Sequence, residues 1–246
     1  MPAQRLFDRA IVRLTPQTES EDVAGFLQGL LTNDVTKALP VYAALLSAQG
    51  KTMFDMIVWP AGHGALLLDC EAARADDLVK RLSLYRLRRE IAIERDNTLG
   101  VYWQAQLGDG GAPDPRLADL GQRWLAPVSE DDTAADEQWR EHRLRLGVPE
   151  GFDEMSDLLW LETNAAELKG VAFDKGCFIG QENTARMNWR QKVNRRLLVV
   201  PMESSDEERR RTAYPALGYA VDHLRVSDMG DLPVPAWLAP ALVSQP

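Results

Sequence analysis

The chain has 246 residues, of which 45% are hydrophobic and 26% charged, ordinary proportions for a soluble globular protein of one large domain or two unequal ones. Its formal net charge of −9 argues against a general nucleic-acid-binding protein. No apolar run approaches the roughly 20 residues of a membrane-spanning helix, and the amino terminus lacks the apolar segment of a signal peptide. We therefore expect a cytosolic protein that acts without a membrane.

The first hundred residues combine one amphipathic pattern with several short apolar runs. Thr18 and Glu21 have capping-box spacing, and the apolar residues that follow recur at helical intervals. A short glycine-containing connection at 49–51 separates two apolar runs, which is typical of a β-hairpin. The expected elements are a strand at 11–14, a helix over 23–31, strands at 41–48, 53–59 and 65–70, a helix over 72–85 and a strand at 90–94. This order predicts an α+β fold with helices packed on a largely antiparallel sheet.

The second half of the chain has a less regular pattern. Residues 107–136 are rich in Gly, Pro and Asp, so we expect a variable surface excursion with one strand inside it. A helix is expected over 138–146, and the charged run at 204–211 is interpreted as a solvated loop or linker. The character of the sequence changes after Val200, and we divide the chain into regions 1–196 and 197–246.

One of the two cysteines has an unusual local sequence. Cys177 lies between glycines at the expected start of a helix. Unpaired N–H groups and the positive end of the helix dipole favour a thiolate there, and Lys175 adds to that field. A small buried cysteine at a tight turn is the structural alternative. Because a thiolate can act as nucleophile, redox centre or soft metal ligand, Cys177 and Lys175 are the candidate catalytic residues.

The sequence around this cysteine is basic, unlike the chain as a whole. Residues 175–196 contain six basic residues against Glu182 alone, and such a surface could attract an anionic ligand. A solvated helix face explains the same pattern. Gln181 and Glu182 could simply cap the helix, and Arg186 could form an ion pair with Glu182 one turn earlier. The six basic residues are Lys175, Arg186, Arg190, Lys192, Arg195 and Arg196.

Four segments, in the right order, resemble those of a known family. KGCFIGQE at 175–182 is similar to the K-G-C-[YF]-x-G-Q-E signature of the YgfZ-type folate-binding proteins. These proteins are iron–sulfur cluster maintenance factors, related in fold to the aminomethyltransferase (T-protein) of the glycine cleavage system. Three other segments resemble further landmarks of the same family, namely FLQGLLTNDV at 26–35, the turn region at 49–55 and LRLGVP at 144–149. The octapeptide is the specific signal, and the other segments support it.

The resemblance implies an aminomethyltransferase-like folate-binding fold for 1–196 and a short, truncated or open β-barrel domain for 197–246. It further implies that tetrahydrofolate or a derivative binds in a central channel lined by polar residues. Such a site needs a carboxylate or amide for the pterin edge, an aromatic face for stacking and a cation for the glutamate tail. Arg86 or Arg88 could supply that cation. The candidate cofactor-binding residues are Asn33, Asp34, Asp55, Tyr85, Arg86, Gln181, Glu182 and Arg186.

The function that the resemblance implies is that of an accessory factor for assembly or repair of iron–sulfur clusters in client enzymes. One cysteine cannot supply the four ligands of a cluster, so client or scaffold proteins, or a second copy, would supply the others. A folate-dependent aminomethyl or one-carbon transferase is the first alternative. Arg145 counts against it, because related transferases carry a folate-site Glu at that position. A non-catalytic folate-binding module is the second. The three histidines are scattered and predict no metal site.

Overall fold

The computed structural model describes residues 4–189 and 193–243. Within these ranges the strands are β1 (Gln4–Leu6), β2 (Arg9–Pro16), β3 (Val41–Leu46), β4 (Thr52–Pro60), β5 (Leu66–Glu71), β6 (Ile91–Asp96), β7 (Leu99–Gln104), β8 (Ala112–Pro113), β9 (Gln122–Pro127), β10 (Thr133–Ala134), β11 (Arg195–Pro201), β12 (Arg210–Tyr214) and β13 (Tyr219–Arg225). The α-helices are α1 (Val23–Gln28), α2 (Ala75–Arg86), α3 (Asp136–Arg145), α4 (Phe152–Met155), α5 (Gln181–Trp189) and α6 (Ala239–Val243).

These strands form three sheets. The first is antiparallel with the order β3-β4-β5-β2-β6, and the second has the order β10-β1-β7-β9-β8, with only the β1–β10 pair parallel. The third is antiparallel with the order β11-β13-β12. The chain passes between the first two sheets from β1 to β2 and again from β6 to β7. The expected α+β fold with largely antiparallel sheets is confirmed.

Both faces of the first sheet are buried, which explains its nearly continuous apolar strands. Along β3, Tyr42 and Ala44 join a cluster shared with the second and third sheets. Ala43 and Leu45 point the other way, into a cluster with α1 and α2, because successive strand residues face opposite sides. The β3 strand is therefore buried on both faces, although it forms the edge of its sheet.

The first helix is shorter than its apolar pattern predicts. Asp22, rather than Thr18, is the N-cap: its Oδ1 accepts a hydrogen bond from Gly25 N at 2.8 Å, as a short carboxylate does at this position. The helix ends at Gln28, and the next residues turn toward the hairpin, where Leu31 bridges to Leu45. The apolar residues after Gln28 thus lie in a buried turn rather than in the helix.

The carboxyl-terminal residues differ in part from expectation. The charged run at 204–211 was expected to be a loop, but β12 begins inside it, and Arg211 is half-buried with its Nη2 donating to Ser156 O at 2.7 Å. The described residues 193–243 contain one open three-stranded sheet. The domain boundary at 196 stays a prediction. None of the helices in the described ranges is long and apolar enough for a membrane span.

Candidate functional site

Cys177 lies in the loop that leads into α5. Gln181 closes this loop on the helix: its Oε1 accepts a hydrogen bond from Phe178 N at 3.3 Å, and its N–H donates to Phe178 O at 3.2 Å. The helix begins four residues beyond Cys177. Cys177 is exposed and forms no disulfide, whereas Cys70 is buried in β5. The molecule therefore presents one accessible thiol on a short, hydrogen-bonded loop.

The turn between β3 and β4 supports this loop through two glycines. A Cβ atom added to Gly180, whose φ is +80°, would lie 2.5 Å from Ser47 O and 2.9 Å from Gly50 Cα. Glycine is required at 180 both by this close approach and by the left-handed backbone. Three residues after Gly180, the Nδ2 atom of Asn183 donates a hydrogen bond to Gln49 O at 2.5 Å. Two of the family-like segments, distant in sequence, are thus in direct contact.

Lys175 connects the same loop to a third segment. Its Nζ donates to Leu31 O at 2.6 Å and to Asn33 O at 2.9 Å, and it lies 5.2 Å from the centre of the Phe178 ring. Burial lowers the pKa of Lys175 from 10.5 to about 8, although Asp34 opposes that change. The sequence predicts that the ammonium group of Lys175 is a charge partner for the thiol. In the structure, two of its three N–H donors form hydrogen bonds with backbone carbonyls.

Asn33 and Asp34 organise the turn that Lys175 contacts. Asn33 Nδ2 donates to Tyr42 O at 2.8 Å and to Lys169 O at 2.7 Å, while its Oδ1 accepts from Asp34 N. Asp34 Oδ1 accepts from the hydroxyl and the backbone N–H of Thr36. The hydroxyl contact is the main reason that the pKa of Asp34 lies well below its ordinary value of 3.8. Both side chains are engaged within the fold.

Tyr85 and Arg86 lie at the end of α2. The Arg81 guanidinium lies 5.3 Å from the centre of the Tyr85 ring, and Arg86 Nη1 donates to Ile91 O at 3.0 Å. Arg88 is exposed in the turn that follows. None of these three residues lines the central cavity described below.

The basic segment around Cys177 is not one continuous surface. Arg186, like Glu182, is exposed on α5, but Arg196 is buried and its Nη1 lies 2.9 Å from Glu167 Oε2. Arg190 and Lys192 lie outside the described residues. Arg186 is therefore the member that clearly faces solvent beside the loop.

A buried network of charges, which sequence reasoning missed, lies between the first two sheets. Arg123 is fully buried at its centre, with Nη1 2.9 Å from Asp69 Oδ2, Nη2 3.1 Å from Glu150 Oε2 and Nε 3.2 Å from Asp114 Oδ2. Its guanidinium also lies 4.3 Å from the centre of the Trp139 ring. The network balances three cations with three carboxylates, namely Arg9, Arg116 and Arg123 with Asp69, Asp114 and Glu150.

Glu150 is the carboxylate of this network that contacts the largest number of its arginines. Its Oε2 accepts from Arg116 Nη1 at 2.6 Å, and its Oε1 accepts from Trp139 Nε1 at 2.8 Å. Burial opposes its ionisation, but Arg116, Arg123 and Arg9 nevertheless hold the pKa of Glu150 well below its ordinary value of 4.5. Charged residues inside apolar strands, such as Asp69 in LLLDCE, were the available signal, since unpaired charges are seldom buried.

A cavity of about 310 Å³ opens beside this network, where β2, α3, α4 and β12 meet. It is lined by aromatic rings, carboxylates and guanidinium groups, among them Trp139, Tyr214, Glu71, Glu150, Arg140 and Arg143. Arg143 pairs with Glu154 at 2.6 Å, and Tyr214 donates to the same carboxylate at 2.6 Å. This volume is at the lower end of the range of small-molecule sites.

Asp55 lies next to this cavity. It lines a cleft of about 10 Å³ that shares Glu71 and Phe152 with the cavity. Its Oδ2 accepts a hydrogen bond from Tyr42 OH at 3.3 Å. Burial raises the pKa of Asp55 from 3.8 to about 6, since a carboxylate loses solvation inside a protein. Among the sequence-predicted cofactor residues, Asp55 is the one that approaches the cavity.

Comparison with known proteins gives a consistent set of relatives, although no family model matches the chain. The human protein named "Iron-sulfur cluster assembly factor IBA57, mitochondrial" is 32% identical over 90% of this chain and 73% of its own length. The mouse protein of the same name is 32% identical over 81% and 66%. A homologue from Phaeosphaeria nodorum is 32% identical over 78% and 53%. The chain thus spans only about two thirds of the mouse relative and about half of the fungal one.

A solved structure has the same fold at low sequence identity. The glycine cleavage system aminomethyltransferase T from Bartonella henselae superposes with a TM-score of 0.65, covering 92% of this chain and 80% of that chain at 13% identity. This similarity supports the aminomethyltransferase-like fold and nothing finer. The expectation of a cytosolic location is wrong by comparison with the relatives, because they are named mitochondrial proteins.

Proposed function

Because the chain belongs to the family of the iron–sulfur cluster assembly factor IBA57, we propose that it assists the assembly of iron–sulfur clusters, with Cys177 as the thiol that meets the cluster. The observation that carries this proposal is the mounting of Cys177. The thiol is exposed, while the loop around it is attached to the core by Lys175 on one side and Gly180 on the other. A reactive group held this way can meet a partner without rearrangement of the fold.

The cluster is cargo that this chain shares with a partner. Clusters are held by about four protein ligands, and Cys70 is buried in β5 with its Sγ 3.7 Å from Ala10 O. Cys177 would therefore complete a ligand set supplied mainly by a scaffold or client protein. Its role is transient ligation during transfer, in which one thiolate replaces another on iron and no electron changes hands.

A reduced folate is proposed as the ligand of the central cavity. The cavity contains groups of the kinds that a pterin and its tail need: an aromatic ring at Tyr214, a carboxylate at Glu71 and a guanidinium at Arg140. Glu71 Oε2 also accepts a hydrogen bond from Phe152 N, and Arg140 also pairs with Asp8. Glu150 is less suited, because its two oxygens already accept from Trp139 and the arginines. A bound folate would supply a one-carbon or redox-active pterin group. The protein residues would hold and orient it.

A second candidate is a folate-dependent one-carbon transferase, and Asp55 favours it. A buried carboxyl with a pKa of about 6 suits general acid–base catalysis near neutral pH. Arg145, which counted against this alternative, is exposed on α3 with Nη2 3.2 Å from His142 Nδ1 and does not line the cavity. Its charge therefore has little bearing on the cavity.

Client activity in cells that lack the gene tests the cluster role. We expect wild type to restore the activity of an iron–sulfur enzyme and Cys177→Ser to fail, with equal protein levels. Full restoration by the serine variant would remove the thiol from the proposal. Tetrahydrofolate-dependent turnover by wild type that Asp55→Asn abolishes would instead favour the transferase.

Calorimetric titration with tetrahydrofolate and its formyl and methylene forms tests the cavity. Glu71→Gln should weaken binding by roughly tenfold, as loss of a charge-assisted hydrogen bond does. Glu203→Gln, an exposed carboxylate in the carboxyl-terminal part, is the matched control. No binding by any of the three folates would contradict the cavity proposal while leaving the role of Cys177 intact.

A further inference from the structure

A small aromatic groove lies beside the cysteine loop and shares no lining residue with the central cavity. It has a volume of about 110 Å³, and its walls include Phe173, Phe178, Ala185 and Trp189. Phe178 follows Cys177 directly in the chain, so one wall of the groove belongs to the loop itself. A protein that brings a cluster to Cys177 would therefore come close to this groove.

The groove exposes aromatic rings that a folded chain normally buries. Trp189 is 86% exposed and Phe173 is 43% exposed. Contiguous exposed apolar surface is typical of protein interaction sites, and tryptophan is among the residues that contribute most to binding energy. The volume is suited to one or two apolar side chains rather than to a whole small ligand, which needs several hundred cubic ångströms.

The charge beside the groove specifies what kind of partner fits. Residues 186–195 contain four basic residues and no acidic one, in a chain whose net charge is −9. Arg186 is exposed and contacts no carboxylate among the described residues. A surface that combines aromatic rings with the exposed cation of Arg186 is complementary to an acidic segment that carries an apolar side chain.

We propose that this aromatic groove docks an acidic segment of the protein that carries the cluster, with an apolar side chain of that segment seated between Phe178 and Trp189. The inference rests on the proposed cluster role of Cys177 and names the partner's chemistry. Docking here fixes the partner's own thiolates next to Cys177, so that a ligand can be exchanged within one complex. Aromatic contacts give affinity, and Arg186 gives orientation and rate.

The first test compares variants in cells that lack the gene, with the activity of an iron–sulfur enzyme as readout. Trp189→Glu should lower client activity roughly tenfold or more, and Arg186→Glu should lower it by about threefold, as a rim charge does. Leu107→Glu, which changes another exposed apolar residue (59%) in the surface excursion, should have no effect. Wild-type activity of Trp189→Glu together with failure of Cys177→Ser would overturn the docking site alone.

A second measurement separates docking from folding and from thiol chemistry. Purified Trp189→Glu should unfold at the wild-type temperature, and its Cys177 should react with iodoacetamide at the wild-type rate, since Cys70 is buried and silent. Loss of either property would mean that Trp189 acts by supporting the loop. If both Cys177→Ser and Trp189→Glu restore client activity fully, the proposed function fails as well.

Cross-linking identifies the occupant. A benzophenone amino acid at position 189 should cross-link to an acidic peptide of a protein that binds iron–sulfur clusters, and position 107 should not. If the cross-linked product consists of two copies of this chain, and sedimentation also shows a dimer, the occupant of the groove is a second copy rather than a partner protein. Cross-links to basic peptides would overturn the charge argument.

Discussion

The cysteine loop and the buried charge network differ in their exposure to water and in the contacts that hold them in place. The loop keeps one reactive group in water and fixes it with backbone contacts, through Gly180 and the carbonyl partners of Lys175. The network keeps six charges out of water and fixes them to one another, with Arg123 at the centre. Function can therefore change at the loop with little effect on folding, whereas the network couples the first two sheets. Substitutions in the two regions should separate these roles.

The largest expected effect on stability is at the network. Arg123→Met leaves Asp69, Asp114 and Glu150 buried with one cation fewer, and breaking such a set by removing one partner costs about 3–5 kcal/mol. Urea denaturation should show this fall in the free energy of unfolding. Arg88→Met, which removes an exposed arginine, should change it by less than about 0.5 kcal/mol. Equal small effects of the two substitutions would mean that water screens the network.

Substitution of Asp55 should instead increase the free energy of unfolding, by an amount that depends on pH. Its pKa is raised from 3.8 to about 6 in the folded protein, so between these values the folded state binds more protons than the unfolded state. Stability from this group therefore falls as pH rises from about 4 to 6. Asp55→Asn removes that loss, so it should stabilise the protein by up to about 3 kcal/mol at pH 8 and by little at pH 4.

Denaturation at both pH values checks this prediction, with Asp131→Asn, an exposed carboxylate, as control. A gain that is the same at pH 4 and pH 8 would show that the Asn packs better rather than that a charge was removed. A loss at pH 8 would mean that Asp55 has stronger partners than Tyr42 OH.

Sequence alone predicts the loop far better than the network. The apolar runs of β3 and β4 and the signature at 175–182 are local patterns, so the fold class and the position of Cys177 follow from them. The network consists of contacts between distant residues: Asp69 meets Arg9 and Arg123, which are 60 and 54 positions away. No local spacing records such pairs.

The cofactor residues illustrate the same limit. Asn33 and Asp34 belong to a recognisable segment, yet their side chains hydrogen-bond to Tyr42 O, Lys169 O and Thr36 within the fold. A segment typical of a family can thus be structural, and the sequence does not distinguish a polar group that binds a ligand from one that shapes a turn. Their role in folate binding stays a prediction.

Lys175 should give an intermediate effect, since it belongs to the loop but is buried. Lys175→Met leaves Leu31 O and Asn33 O without their donors, which costs about 1–3 kcal/mol when such acceptors stay buried. Hydrogen exchange should show faster opening of 175–189 than of β3 and β4. Lys51→Met is the matched control, because its ion pair with Asp157 is exposed. Uniform loss of protection across the whole chain would place Lys175 in the global core.

Cys177→Ser should have the smallest effect on stability and a large one on function. The side chain is exposed and serine is similar in size, so the free energy of unfolding should change by less than about 0.5 kcal/mol. A hydroxyl is a poor ligand for iron beside sulfide, because cluster iron favours soft thiolates, so client activity should be lost at unchanged protein level. Purified wild type and variant, compared in urea and in the client assay, should therefore differ in one measurement only. A destabilised serine variant would mean that the thiol helps to hold its own loop, and the contrast between a functional loop and a structural network would no longer hold.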